Sequence, residues 1–155
     1  MGELLNSARE VLFGYAERGV FDGCVETSQR GRHAFRFRWL LGHQFCCVVD
    51  EARGALTLKD LLPEVPTRGF MDQDLRRFIK ARGAADLPEH RRLDSSVGVL
   101  MYRNRQAQVS LGLRLASGPS ARATKRLLGV CNDLFAHLHL YHIDYLHREF
   151  GLPEE

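Results

Sequence analysis

Lysine is nearly missing from this chain: of 22 basic residues only Lys59, Lys80 and Lys125 are lysine, and the other 19 are arginine. Long apolar runs are missing too. The longest, around residues 45–49, falls far short of the roughly 20 residues a membrane-spanning helix needs. The start, Met1, Gly2 and Glu3, has no basic region leading into an apolar one, so a cytoplasmic protein without membrane contact is expected. Cysteine is sparse. Cys24, Cys46, Cys47 and Cys131 offer no CxxC spacing, which argues against the common zinc and thioredoxin-like motifs. In a strand the adjacent Cys46 and Cys47 point to opposite faces and cannot serve one site; all four read as small buried hydrophobes. Neither a GxSxG elbow, a GxxxxGK[ST] or GxGxxG loop, nor an HExxH pair is present, so the familiar nucleophile, phosphate and zinc-protease templates find no support. Ser95 and Ser96 follow Asp94, but no base is visible for them.

What is present fits a single domain spanning residues 1–155. At 45% hydrophobic content, a chain of this length buries about two-thirds of its unfolded surface around one core. The net charge of +3 is unevenly spread: residues 1–28 hold five acids against Arg9 and Arg18, whereas residues 29–49 hold Arg30, Arg32, Arg36 and Arg38 and no acid.

Periodicity places the elements. Over residues 3–18, Leu4, Leu5, Ala8, Val11, Leu12, Tyr15 and Ala16 recur at helical spacing, and Gly19 follows as a stop. Residues 20–28 read as a strand. Over residues 33–40 the alternation is strict, with Phe35, Phe37 and Trp39 on one face and Arg36 and Arg38 on the other, as in a half-buried antiparallel strand. Residues 44–50 read as a more buried strand, which completes a three-stranded meander. From 51 to 66 a short extended piece at 55–58 leads into a loop held by Leu61 and Leu62 and broken by Pro63 and Pro66. Residues 70–81 return to helical period, with Phe70, Leu75, Phe78 and Ile79 inward and Asp72, Asp74, Arg76, Arg77 and Lys80 outward, closed by Gly83. A polar stretch at 86–94 precedes a hairpin of 97–102 and 106–115 with a basic tip at Arg103, Asn104 and Arg105. Ser117, Gly118, Pro119 and Ser120 then offer a helix start. One last helix is expected over 121–150, about 45 Å long, with an apolar stripe through Leu127, Leu134, Leu138, Tyr145 and Phe150. The fold class is α+β: a five-stranded antiparallel sheet packed with helices, in the order α-β-β-β-α-β-β-α.

Four of the seven histidines, His137, His139, His142 and His147, crowd that last helix. His139 and His142, three apart, share a face and are compatible with a metal pair, and Asp133 lies one turn before His137. The plainer reading takes His142 into the buried stripe and leaves His137, His139 and His147 near solvent or a subunit boundary. Arg30, Arg32, His33, Arg36 and Arg38 beside a strand of aromatics resemble the parts of a single-strand nucleic-acid platform. The phase opposes it, since the rings and the arginines lie on opposite faces.

The order of elements, with the segments HRRLDSSVGVLMYRNRQAQVSLGLRL (residues 90–115) and ATKRLLGVCNDLF (residues 123–135), resembles the fold shared by type III secretion chaperones and the YbjN-like bacterial proteins. The resemblance implies a homodimer or monomer that binds other polypeptides through apolar grooves on its sheet and first helix, with no cofactor and no turnover. Secretion chaperones are typically acidic, whereas this chain has a pI near 8.8, which favours the YbjN-like branch.

The leading expectation is therefore a non-enzymatic protein-binding or regulatory domain, chaperone-like in its use of apolar grooves. It is expected to be dimeric through Leu134, Leu138, Tyr141 and Tyr145, because the last apolar stripe outruns one small sheet. Light scattering showing a strict monomer at high concentration, with Leu134, Leu138 and Tyr145 buried within one chain, would remove the case for a dimer. Two alternatives stand beside it: anion or nucleic-acid binding through Arg30, Arg32, Arg36, Arg38, Arg103 and Arg105, and a small metal-dependent enzyme built on His139 and His142. No catalytic residue and no assigned metal ligand follow from the sequence.

Overall fold

A computed structural model describes residues 2–82, 98–115 and 121–154. Gly83, the polar stretch at 86–94, the Ser95 and Ser96 pair and the helix start at 117–120 lie outside the described residues. The elements run α1 (Glu3–Glu17), β1 (Asp22–Gln29), β2 (Arg32–Arg38), a short 3-10 turn (Leu40–Gly42), β3 (Gln44–Asp50), β4 (Ala55–Leu62), α2 (Phe70–Ala81), β5 (Gly98–Arg105), β6 (Gln108–Leu115), α3 (Ala121–Tyr141) and α4 (Ile143–Phe150).

The six strands form one antiparallel sheet in the order β1-β2-β3-β4-β6-β5. A single row of partners, Glu26, Phe35, Cys47, Leu58, Leu111 and Tyr102, crosses all six strands. Its four central members are buried. Its two ends carry polar handles to helices: Glu26 accepts two hydrogen bonds from Arg9 of α1, both 2.7 Å, and the Tyr102 hydroxyl donates to Asp72 of α2 at 2.7 Å. The same face takes the edge of Phe13 from α1 on Phe35 and Phe135 from α3 on Phe45. All four helices thus pack on one face of the sheet, and the core lies between the two layers. On the opposite face the matching row is Thr27, Ala34, Val48, Thr57, Gly112 and Met101, and no helix of the described residues covers it. Among those residues no helix is long and apolar enough to cross a membrane.

The expected α+β class holds, but the sheet has six strands, not five. Residues 55–62, read as a brief extended piece and a loop, form the complete strand β4. Leu58 pairs with Leu111 and Leu62 with Val109, so two extra residues of β4 are accommodated between those pairs, and Asp60 takes a positive φ of 50° there. This bulge puts Leu61 and Leu62 side by side at the core and interrupts the period of two. The β5–β6 hairpin also turns later than expected. Its turn is Gln106 and Ala107, at φ 53° and 66°, and Arg103 and Arg105 lie within β5. Two consecutive positive φ values are the mark of a tight hairpin turn normally signalled by Asn-Gly or Asp-Gly, and Gln-Ala carries no such signal.

The last helix is two helices. Its chain leaves helical geometry at His142 (φ −139°, ψ 43°), which ends α3 and caps α4. The final α3 bond, His142 N–H to Leu138 O, is 2.8 Å, and the His142 carbonyl then accepts from Tyr145 and Leu146. No proline or glycine breaks the chain here; burial explains the bend. A straight continuation would carry the end of the stripe past the sheet, whereas the bent α4 buries Tyr145, Leu146 and Phe150. Phe150 packs edge-on against Phe135, and Tyr145 donates to the Pro63 carbonyl at 2.5 Å.

Candidate functional site

The bend at His142 has a chemical consequence. On one continuous helix, residues five apart diverge by about 140° around the axis, so His137 and His142 would point apart. The break turns His142 back, and both imidazoles reach Asp74 of α2. His137 Nε2 lies 2.8 Å and His142 Nε2 2.6 Å from the same oxygen, Asp74 Oδ2. The other carboxylate oxygen faces Arg77 at 3.7 Å.

Side chains hold α2 in place along its length. Near its start, Asp72, only 2% exposed, accepts from the Arg68 backbone N–H (2.9 Å), Tyr102 (2.7 Å) and Asn104 (3.1 Å). At its end, Arg82 meets Asp133 of α3 at 2.6 Å. Helix α2 therefore runs antiparallel to the second half of α3, and Asp74 is delivered to the α3–α4 bend. Burial alone would raise the Asp74 pKa, but hydrogen bonds from His142 and His137 outweigh it and hold the carboxyl below its ordinary value.

The triad is partly shielded. The side chains of His142, His137 and Asp74 are 9%, 15% and 21% exposed. Phe78 and Tyr141 stack on His137 with centroids 4.4 and 4.8 Å away, and Phe70 lies 6.4 Å from His142. The rings beside the histidines are open to solvent, Phe70 78% and Tyr141 69% exposed, and their apolar neighbours at the bend, Leu140 and Ile143, are 75% and 36% exposed.

The residues named from sequence fall differently. Leu134, Leu138 and Tyr145, the expected dimer contacts, are buried within this chain, because α4 folds back over the stripe; of that set only Tyr141 faces outward. The apolar stripe is thus covered by the chain's own α4. His139 faces solvent and is not joined with His142, since the helix that would have aligned them ends between them. His137, expected near solvent or a boundary, is half-buried against Asp74. His147 bonds the Leu152 carbonyl at 2.6 Å.

The six arginines are not gathered. Arg30 and Arg32 sit at the β1–β2 turn, while Arg103 and Arg105 lie at the far end of the other edge strand, diagonally across the sheet. Arg36 and Arg38 are exposed on the sheet face opposite the described helices and the buried Phe35 and Phe37. Arg32 faces Asp50 at 3.9 Å, and Arg38 donates to the Gly42 carbonyl at 3.1 Å. The adjacent cysteines do diverge: Cys47 is fully buried in the core row and Cys46 half-buried on the other face.

Asp74 was missed in the sequence because its partners lie 63 and 68 positions away, with no local spacing to mark it. No protein-family model, curated protein or solved structure matches this chain.

Proposed function

We propose that this domain is a polypeptide-binding module whose contact surface is the apolar rim formed by Phe70, Leu140, Tyr141 and Ile143. The carrying observation is the cost of that rim. Phe70 and Tyr141, both at least 69% exposed, stand beside one half-buried polar centre, and Leu140, 75% exposed, adjoins Tyr141 in the chain, while the stripe of the same helix is fully packed. Large apolar side chains exposed near one another are uncommon on a surface that meets only water, and exposed aromatic side chains are enriched as anchors in binding patches. The occupant is a segment of another chain that presents apolar side chains to the rim. The element order expected from the sequence resembles that of secretion chaperones and YbjN-like proteins, and that resemblance implies the same kind of function.

Selection of random peptides displayed on phage tests it. The intact domain should enrich a shared apolar motif, and the double variant Leu140→Ser, Tyr141→Ser should lose that enrichment while keeping its circular dichroism. Failure of the intact domain to enrich any motif, or equal enrichment by the double variant, would remove the proposal.

A further inference from the structure

We propose that Asp74, His137 and His142 form a binding site for a divalent metal ion of the zinc class, with at least one coordination position left open toward the apolar rim. The inference is independent of polypeptide binding. It rests on the donor set, its spacing and its support.

The donor set is two imidazole nitrogens and one carboxylate oxygen, which are ligand types that zinc takes; three protein ligands with a free position are the arrangement of an open zinc site. The spacing is nearly that of a loaded site. The three donor atoms lie within 4.8 Å of one another. Zinc–ligand bonds of about 2.0–2.2 Å in tetrahedral geometry separate neighbouring ligand atoms by about 3.3 Å. The two nitrogens already sit 2.8 and 2.6 Å from Asp74 Oδ2, so side-chain movements of under about 1 Å would admit the ion. Without metal, both imidazoles must direct a proton at one oxygen. With metal, each would carry its proton on Nδ1 and give its Nε2 lone pair to the ion, while the carboxylate stays ionised.

Support comes from the neighbours. Arg77 lies 3.7 Å from the second Asp74 oxygen, which leaves Oδ2 as the oxygen that both histidines share. The rings of Phe78 and Tyr141 restrict His137. The break at His142 is required for convergence, since an unbroken helix would turn the two histidines apart. A hydrogen-bonded latch holding α2 to the bend is the competing account, and it predicts no metal affinity.

The test uses the full chain purified without a histidine tag. Zinc titration followed by calorimetry and native mass spectrometry should show one ion per chain at micromolar concentration. Cobalt(II) should give the visible d–d absorption of a four- or five-coordinate ion. Asp74→Asn preserves the side-chain shape but supplies a poor ligand, and should weaken zinc binding at least 100-fold; His139→Ala and His147→Ala should leave it unchanged. Nitrogen-15 spectra of the unmodified protein serve if the variant fails to fold, because zinc should switch His137 and His142 to the Nδ1-protonated form and leave His139 unaffected. Absence of stoichiometric zinc and cobalt uptake would overturn the site. Uptake that survives in folded Asp74→Asn, or that perturbs His139 in place of His137 and His142, would do the same.

Discussion

Replacing Asp72 with alanine removes the polar anchor of α2, and its cost follows from the contacts. The carboxylate is 2% exposed. One oxygen accepts from the Arg68 N–H at 2.9 Å and faces Arg76 at 3.5 Å; the other accepts from Tyr102 and Asn104 at 2.7 and 3.1 Å. The bond to Arg68 also reaches back across the helix start to satisfy a backbone donor there. Truncation leaves the Arg68 N–H and the Tyr102 hydroxyl without this acceptor, and breaking a buried, charge-assisted cluster costs about 3–5 kcal/mol. Asp72→Asn keeps the volume but loses the charge and turns an N–H toward a donor, for about 1–3 kcal/mol. Urea unfolding should resolve both, and the alanine variant should melt roughly 6–20 °C lower, at about 2–4 °C per kcal/mol for a domain of this size.

The pH dependence has a definite sign. Burial alone would raise the Asp72 pKa, but hydrogen bonds from Arg68, Tyr102 and Asn104 hold it below its ordinary value. The unfolded chain takes up the proton first as pH falls through about 3.9, so the stabilisation is complete above that value and lost as pH drops through the lower folded-state value. The gap between wild type and Asp72→Asn should therefore be full at pH 7 and shrink below about pH 4. A double-mutant cycle with Tyr102→Phe should show coupling of about 0.5–3 kcal/mol. A cost below about 1 kcal/mol for Asp72→Ala would refute the description of α2 as anchored through this cluster.

Two further outcomes are expected. Leu134→Ala and Leu138→Ala, at positions fully buried within the chain, should each cost about 2–5 kcal/mol by an amount that does not change with protein concentration; a concentration-dependent loss in urea melts would mean that these leucines belong to an interface after all. Burial pushes the Cys47 thiol up to about 12 and raises that of Cys131 as well, so a disulfide reagent at pH 8 should label neither in the native protein and both in urea, and rapid native labelling of either by mass spectrometry would contradict the packing.

Much of the fold was legible in local pattern. Strand β3 occupies the residues its alternation indicated, and α2 those its period indicated, but two positions of α2 are reversed: Phe70, expected inward, is exposed, and Asp72, expected outward, is buried by the donors around it. The phase of Phe35 and Phe37 against Arg36 and Arg38 correctly placed rings inside and guanidinium groups outside. Gly19 ends α1 as expected: at φ 76° it follows the C-cap, and the Val20 N–H bonds the Tyr15 carbonyl at 2.9 Å. The errors sit where no residue announces the geometry. Asp60 in the β4 bulge, Gln106 and Ala107 in the hairpin turn, and His142 in the helix break adopt conformations for which the chain uses neither glycine nor proline.

The sequence by itself determined which faces are apolar, because side-chain periodicity is a property of the local backbone. It also determined that the familiar catalytic spacings are missing. Tertiary structure alone decided that the final apolar stripe is covered from within, since that depends on whether folding α4 back buries more surface than extending it. It alone decided, too, which histidines meet a carboxylate. Asp74 and His142 are brought together by an anchored α2 and a bend in another helix, and no spacing within either segment encodes a contact made by two rigid elements packing on one sheet.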